Sequence, residues 1–280
     1  EIDNIKKAHI HDGAALTKYL FWIKKNFNKK KITEISGSQK LYKYKNKYKT
    51  FKSLSFPTIS GSGPNGAIIH YKASNKTNRR LKSGDIYLVD SGGQYEFGTT
   101  DVTRTISLKN HNKRIKNIYT RVLKGHIAVA NFKLKASTSG SVIDVQARKF
   151  LKQIGLNYPH GTGHGVGYFL NVHEGPHSIS KNNKVRLREG MIVSNEPGYY
   201  EKNKFGIRIE NLIFVNKKKE KNFFENLTMV PIEKDLIDQS LLNRKERNWL
   251  NRYHQKVFNS LKYAMNKEEI LELKKACSAI

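Results

Sequence analysis

The chain has 280 residues, enough to bury one large core, and carries 52 Lys and Arg against 23 Asp and Glu, a formal net charge of +29. Its longest apolar stretches, such as 127–130, fall far short of the ~20 residues of a membrane span, which excludes a helical membrane protein. The charge excess is mostly Lys spread along the chain, as at 24–31 and 217–221, without the interleaved Arg and aromatic residues of a nucleic-acid groove, so no specific nucleic-acid partner is expected.

Residues 4–27 place Ile5, Ala8, Ala15, Leu16, Tyr19, Leu20 and Ile23 near helical spacing, which predicts an amphipathic helix. Thr33 offers an N-cap to a second helix, weakened by Gly37. The Gly-Ser-Gly-Pro-Asn-Gly run at 61–66 predicts a loop, and 67–71 a strand. Two strand-like runs, 86–92 and 99–108, are joined by a short polar connection. Helices are expected over 112–131 and over 141–154, the latter stopped by Gly155. Residues 190–215 supply two strands, and from about Asn226 a short extended piece leads into helices over 242–263 and 266–276. Strands mixed with long helices, without regular βαβ alternation, predict an α+β fold with helices on one face of a sheet. The single cysteine, Cys277, cannot form an intrachain disulfide and suits a reducing, cytoplasmic compartment.

The chemistry-bearing residues sit in short Gly-, Thr- or Pro-marked runs. Asp90 lies in Leu-Val-Asp-Ser-Gly-Gly-Gln-Tyr, Asp101 in Gly-Thr-Thr-Asp-Val-Thr-Arg-Thr and His164 in His-Gly-Thr-Gly-His-Gly-Val-Gly. Glu196 lies in Ser-Asn-Glu-Pro-Gly-Tyr-Tyr and Glu210 in Gly-Ile-Arg-Ile-Glu-Asn. Buried ionised carboxylates are costly unless paired or on metal, so four of them with an imidazole read as ligands for two divalent cations. A hairpin centred between Tyr95 and Glu96 would set Asp90 opposite Asp101, a like-charge pair that makes sense only with a cation between. Along 206–215, strand alternation puts Arg208 and Glu210 on one face and Ile207 and Ile209 on the other. Glu196, before Pro-Gly, ends a strand at a turn that can aim its side chain. His160 and His164 stand among four glycines, which argues for a loop or tight strand with close backbone approach. His70 and His173 are weaker candidates, and the remaining histidines have no comparable setting.

Taken together, these motifs resemble the catalytic domain of the Xaa-Pro aminopeptidases (aminopeptidase P), metallopeptidases of pita-bread fold. The likeness runs from Ala8-His9-Ile10 through Gly63-Pro64-Asn65-Gly66 and the metal motifs to Trp249-Leu250-Asn251-Arg252-Tyr253-His254, and the Asn-Val-His-Glu-Gly-Pro context is most similar to the cytosolic, three-domain group. The resemblance implies helices packed on a curved, mainly antiparallel sheet, with a catalytic domain over 1–228 and a helical extension over 229–280. It implies that Asp101 and Glu210 bridge two metals, Mn in the first instance with Co or Zn as alternatives. Asp90 would complete one shell, and His164 with Glu196 the other. His70, His160 and His173 would line the substrate pocket as catalytic and binding groups, with Tyr200 and Arg208 supporting them. The implied reaction is attack of a metal-bridging hydroxide on the first bond of a peptide with proline second. Family members of this type carry two N-terminal domains that this chain lacks, and the full-length protein would be a homodimer. Departures from the pattern include Lys135 and Ser137 where Pro and Gly are usual, and Lys152 where Trp is usual; none replaces a ligand. Prolidase shares the ligand set and stays open as an alternative. An inactive module that binds protein or nucleic acid is disfavoured, since all five ligands are present.

Overall fold

The computed structural model describes residues 1–109 and 111–280. Helix α1 (Ile2–Asn26) buries the predicted stripe of Ile5, Ala8, Leu16, Tyr19, Leu20 and Ile23. Thr33 caps α2 (Glu34–Lys45): its side chain accepts from Ser36 N–H while the Ser36 side chain reaches back to the cap. Between the two helices, Lys45 pairs with Asp12, both buried, and the Tyr95 hydroxyl donates to Asp12 at 2.9 Å.

Strands β1 (Phe51–Ser53) and β2 (Ile59–Ser62) follow. The run expected as a loop at 61–66 instead ends β2 and continues as a 3-10 turn, Gly63–Ala67. The strand expected over 67–71 does not form, because the chain leaves that turn through a further turn at 68–70. Ile68 is left 54% exposed, so apolar content there reflects a rim rather than a sheet face.

Strands β3 (Ile86–Ser91), β4 (Gln94–Tyr95), β5 (Gly98–Thr99) and β6 (Val102–Ser107) make the expected hairpin, but not in the expected register. Tyr95 pairs with Gly98, which moves the turn to Glu96–Phe97 and sets Asp90 opposite Thr103 rather than Asp101. Asp101 therefore precedes β6 and reaches Asp90 on the diagonal instead of directly across. β2 pairs with β3, which pairs in turn with β6.

Helices α3 (Lys113–Ala130) and α4 (Gly140–Lys152) pack on each other, and Gly155, at φ +71°, ends the second by bonding back to the Lys152 carbonyl. Two short strands, β7 (Gly163–His164) and β8 (Ser178–Ile179), precede the most informative stretch. Over 190–215 the structure has four strands where two were expected: β9 (Ile192–Asn195), β10 (Gly198–Glu201), β11 (Phe205–Arg208) and β12 (Asn211–Lys218). The breaks fall at Glu196-Pro197, at the left-handed Asn203 and at Ile209-Glu210, so each interruption either turns the chain or aims a carboxylate. β13 (Lys221–Asn226) closes the hairpin with β12. All named strand pairs are antiparallel, giving a mixed α+β architecture as expected.

Helices α5 (Arg244–Leu261) and α6 (Lys267–Ala276) end the chain. Trp249, Leu250, Tyr253 and Val257 of α5 share one core with Ile118, Val122 and Leu123 of α3 and with Ile207 and Ile209 beside the site. No helix among the described residues is long and apolar enough to cross a membrane.

Candidate metal centre

The antiparallel frame delivers acidic side chains to one cavity from strand ends. Asp90 comes from β3, Asp101 from the residue before β6, His164 from β7, Glu196 from just after β9, and Glu210 from the break between β11 and β12. Ligand atoms of Asp90, Asp101 and Glu210 lie within 4.8 Å of one another, as do those of His164, Glu196 and Glu210. A third group at the same spacing joins Asp101, His164 and His173. All five residues, with His70, His160, His173 and Arg208, line a cavity of about 500 Å³.

Local backbone explains the approach. Gly163 has no side chain because a Cβ there would meet the Ser194 carbonyl oxygen at 1.8 Å, and this contact lays β7 against β9. The Ser194 hydroxyl then accepts from His164 N–H at 2.9 Å and donates to Glu196 at 3.0 Å, coupling two of the site residues. On the opposite wall the Thr103 hydroxyl donates to Glu210 at 2.7 Å and accepts from Arg208 Nε at 3.0 Å. Arg208 Nη2 donates to Asp90 at 2.6 Å and its Nη1 to the Tyr200 hydroxyl at 2.7 Å. Alternation along β11 is as expected: Ile207 and Ile209 enter the core while Arg208 and Glu210 face the cavity.

The histidines differ. His160 Nδ1 lies 2.7 Å from the Gly161 carbonyl, an acceptor, so Nδ1 carries the proton and Nε2 accepts from the Tyr200 hydroxyl at 2.8 Å. Burial lowers the His160 pKa, in keeping with a neutral ring whose two nitrogens are both engaged. Tyr200 does not line the cavity itself but stands behind it; burial pushes its hydroxyl up to about 12, so it keeps its proton. His70 and His173 are exposed, make no side-chain hydrogen bond to another described residue, and border the cavity. His173 lies edge-on to His164 with ring centroids 4.1 Å apart, and burial, then the neighbouring His164, lower its pKa.

The donor set fits a pair of divalent cations. Burial and then its neighbour Asp90 raise the Asp101 carboxyl well above the usual range, and burial with Asp101 does the same to Glu210. Against these carboxylates the only buried cation in contact among the described residues is Arg208, whose charge burial opposes but Tyr200 and Asp90 hold in place. Asp90 Oδ1 and Asp101 Oδ1 are buried without a hydrogen-bond partner among the described residues. Most telling is His164: Nδ1 faces the Gly165 carbonyl at 3.0 Å and must donate, which turns the Nε2 lone pair toward Asp101 at 3.4 Å and Glu196 at 3.5 Å. A ring nitrogen set 3.4 and 3.5 Å from two carboxylate oxygens is completed by a proton or by a metal ion. With two carboxylate oxygens nearby left unpartnered among the described residues, the donor set of oxygen and imidazole suits Mn, Co or Zn.

Sequence reading missed Thr103 and Ser194, which fix the candidate ligands, and the apolar walls at Phe56, Ile59, Ile69 and Val172. The two hydroxyl residues do sit two positions from Asp101 and Glu196, so strand alternation places them on the ligand faces.

Comparisons with known proteins agree with this geometry. The model of metallopeptidase family M24 matches residues 3–217, and that of the C-terminal region of M24 peptidases matches 222–280. A probable Xaa-Pro aminopeptidase P of Laccaria bicolor is 48% identical over 273 residues, covering 93% of this chain and 42% of that protein. Aminopeptidase P1 of Lotus japonicus is 46% identical over 285 residues, covering 91% and 43%. The crystal structure of a Caenorhabditis elegans X-prolyl aminopeptidase, described as a cytosolic enzyme with a di-nuclear active site, superposes with a TM-score of 0.96 at 38% identity, over 100% of this chain and 48% of that one. The prolidase of Pyrococcus horikoshii OT3 superposes at 0.72 with 31% identity, over 83% and 62%. The chain thus spans less than half the length of these three aminopeptidase relatives.

Proposed function

The chain belongs to metallopeptidase family M24, and from that premise we propose that it is the catalytic part of an aminopeptidase releasing the N-terminal residue from peptides with proline second. The observation that carries the reading is the His164 Nε2 lone pair aimed at Asp101 and Glu196 inside a cavity lined by all five candidate ligands. Asp101 and Glu210 would hold both ions, with Asp90 completing one position and His164 with Glu196 the other, a division that the overlapping ligand groups support. Bound there, two divalent ions supply a water acidified towards neutral pH and polarisation of the scissile carbonyl. Mn is the expected ion, because carboxylate oxygen dominates the donor set.

The protein's own groups do the rest. Arg208 pins Asp90 and, through Thr103, the face of Glu210, so the carboxylates hold their spacing while the peptide binds. His160 acts through Tyr200: its neutral Nε2 accepts the hydrogen bond of the phenol, which keeps its proton, and Arg208 fixes the phenol oxygen. His70 and His173 have unengaged rings at the cavity wall, placed to grip the peptide and to donate to the oxyanion as the carbonyl becomes tetrahedral. Proline has no amide N–H and a fixed φ, and the apolar wall of Phe56, Ile59, Ile69 and Val172 accepts a ring where a hydrogen-bonding cleft would reject it. The division into a catalytic part (1–228) and a helical extension (229–280) belongs to the same reading, supported by the two family matches, as does work in the cytosol, supported by the nematode relative; a homodimer of the longer protein completes it.

The test is chelated protein reloaded with Mn, Co or Zn and offered Xaa-Pro-Pro, Xaa-Ala-Pro and Xaa-Pro. Expected are about two ions bound per chain and cleavage of Xaa-Pro-Pro far faster than Xaa-Ala-Pro. Comparable rates on those two tripeptides would contradict proline selection. Cleavage confined to the dipeptide would assign prolidase activity instead. His173→Ala should lose turnover by ~10²–10³ with its ions retained, and His70→Ala should act mainly on KM.

A further inference from the structure

Glu34 opens helix α2, far in sequence from every candidate ligand, yet its carboxylate is fully buried. No cation neutralises it in its hydrogen bonds: every partner is a neutral donor. Oε1 accepts from Ser62 N–H at 2.7 Å and Asn65 Nδ2 at 3.1 Å, and Oε2 from the Tyr71 hydroxyl and Arg79 N–H, both at 2.8 Å. The backbone joins in: Glu34 N–H donates to the Arg79 carbonyl, and the Ser60 hydroxyl donates to the Glu34 carbonyl, both at 2.9 Å. One residue thus grips a chain segment at its start, its end and two points between. A buried carboxylate held only by neutral donors costs desolvation that an amide would avoid, so what it secures matters more than its own stability.

What it secures is a wall of the substrate cavity. Residues 69–72 of the gripped segment line that cavity, with His70 among them. The His70 ring makes no hydrogen bond to another described residue, so its place is set by its main chain alone, and the main chain is set by Glu34. We infer that Glu34 is a positioning residue that holds residues 62–79 as a clamp and so fixes where His70 meets the peptide. This rests on the proposed aminopeptidase reading for its kinetic consequence, but not for the clamp itself.

The experiment uses Glu34→Gln and the milder Asn65→Ala in the 280-residue chain. Glutamine keeps the size but turns one acceptor into a donor, leaving Ser62 N–H or Arg79 N–H unmatched. Glu34→Gln should raise KM for an Xaa-Pro-Pro peptide about tenfold, change kcat by less than about threefold, and retain the ion content of the parent chain. With His70→Ala already present, Glu34→Gln should add little, since the two act on one contact. Asn65→Ala, which keeps the carboxylate, should shift KM in the same direction by less, and it decides the matter should Glu34→Gln fail to fold. An unchanged KM, multiplicative effects in the double variant, or loss of ions would each overturn the assignment. Amide exchange separates this inference from the proposed function. If the parent chain binds its ions but cleaves no peptide, the aminopeptidase reading falls. The clamp still stands if Glu34→Gln speeds exchange across 62–79 and spares β3 and β6, and falls if exchange there is unchanged.

Discussion

Thr103 and Arg104 are neighbours on β6 and point to opposite faces, and the two buried polar centres they serve behave in opposite ways. On the Arg104 side a fully buried guanidinium meets an oxygen in every direction. Nε donates to Pro231 at 3.0 Å; Nη1 to the Thr103 and Glu210 carbonyls at 2.9 and 2.6 Å; Nη2 to Asn211, Val230 and the Tyr253 hydroxyl at 2.8, 2.8 and 2.9 Å. On the Thr103 side, carboxylates crowd together with two orphaned oxygens and a lone pair aimed at like charge. Burial of charge is common to both, so burial does not mark function. What separates the two is how the charge is met: Arg104 by neutral oxygens of the protein alone, the crowded carboxylates by a cation from outside.

Substitution should therefore move the two centres in opposite directions. Asp101→Asn should take peptidase activity to background, yet make the chelated protein more stable than chelated parent by roughly 1–3 kcal/mol in urea denaturation. The sign follows from the pKa shifts. Asp101 and Glu210 are raised in the folded state, so their contribution is favourable below the ordinary carboxylate range and is lost as pH rises through the raised folded values. At neutral pH, removing one such charge relieves the metal-free fold. Arg104→Met should do the reverse, costing roughly 3–5 kcal/mol whether or not ions are present. Equal destabilisation by both substitutions in chelated protein would erase the distinction.

Thr103→Val sharpens the comparison, because it keeps the strand and removes the hydroxyl that joins Arg208 to Glu210. Ion affinity should weaken by ~10–100-fold in titrations of chelated protein, with the denaturation midpoint little changed. An unaltered affinity would show that the Glu210 geometry needs no such support.

The candidate ligands were legible because each lies where a turn or strand end is spelled out locally, as Pro197-Gly198 does beside Glu196. Register was not legible: whether the hairpin turns at Tyr95-Glu96 or at Glu96-Phe97 depends on the packing of its flanks, and a shift of the pairing leaves the pattern intact. The 67–71 segment misled because Ile68 and Ile69 have the composition of a strand but form a cavity rim, held by Glu34 across the fold. Thr103 to Glu210 spans 107 residues of sequence, and no local pattern predicts a contact of that range.

Buried histidines outside the cavity give a smaller, pH-dependent effect. Burial lowers His9 to about 4 and His254 to about 3, and His254 Nε2 accepts from Ile232 N–H at 3.1 Å as only a neutral ring with a free Nε2 can. With folded values depressed, their contribution is intact above the unfolded histidine range and is lost as pH falls towards the folded values. Below the unfolded range each adds ~1.4 kcal/mol per pH unit to the slope. His254→Gln in chelated protein should flatten the slope by that share; a difference that cancels the carboxylate terms common to both chains. An unchanged slope would mean that His254 titrates normally.

Far from both centres, the β12–β13 hairpin turns on Lys219 and Glu220, at φ 46° and 58°, with Lys218 facing Lys221 across the ladder. That backbone is a type I′ turn, whose geometry favours Asn-Gly, so lysine and glutamate hold it against their own preference. The tip lies beyond the buried half of β12 and carries no side chain of the cavity. It is consequently a graft point: Asn-Gly would tighten it, and a longer loop bearing an affinity tag or a fluorophore could replace it while the chemistry at the other end of the strand runs undisturbed.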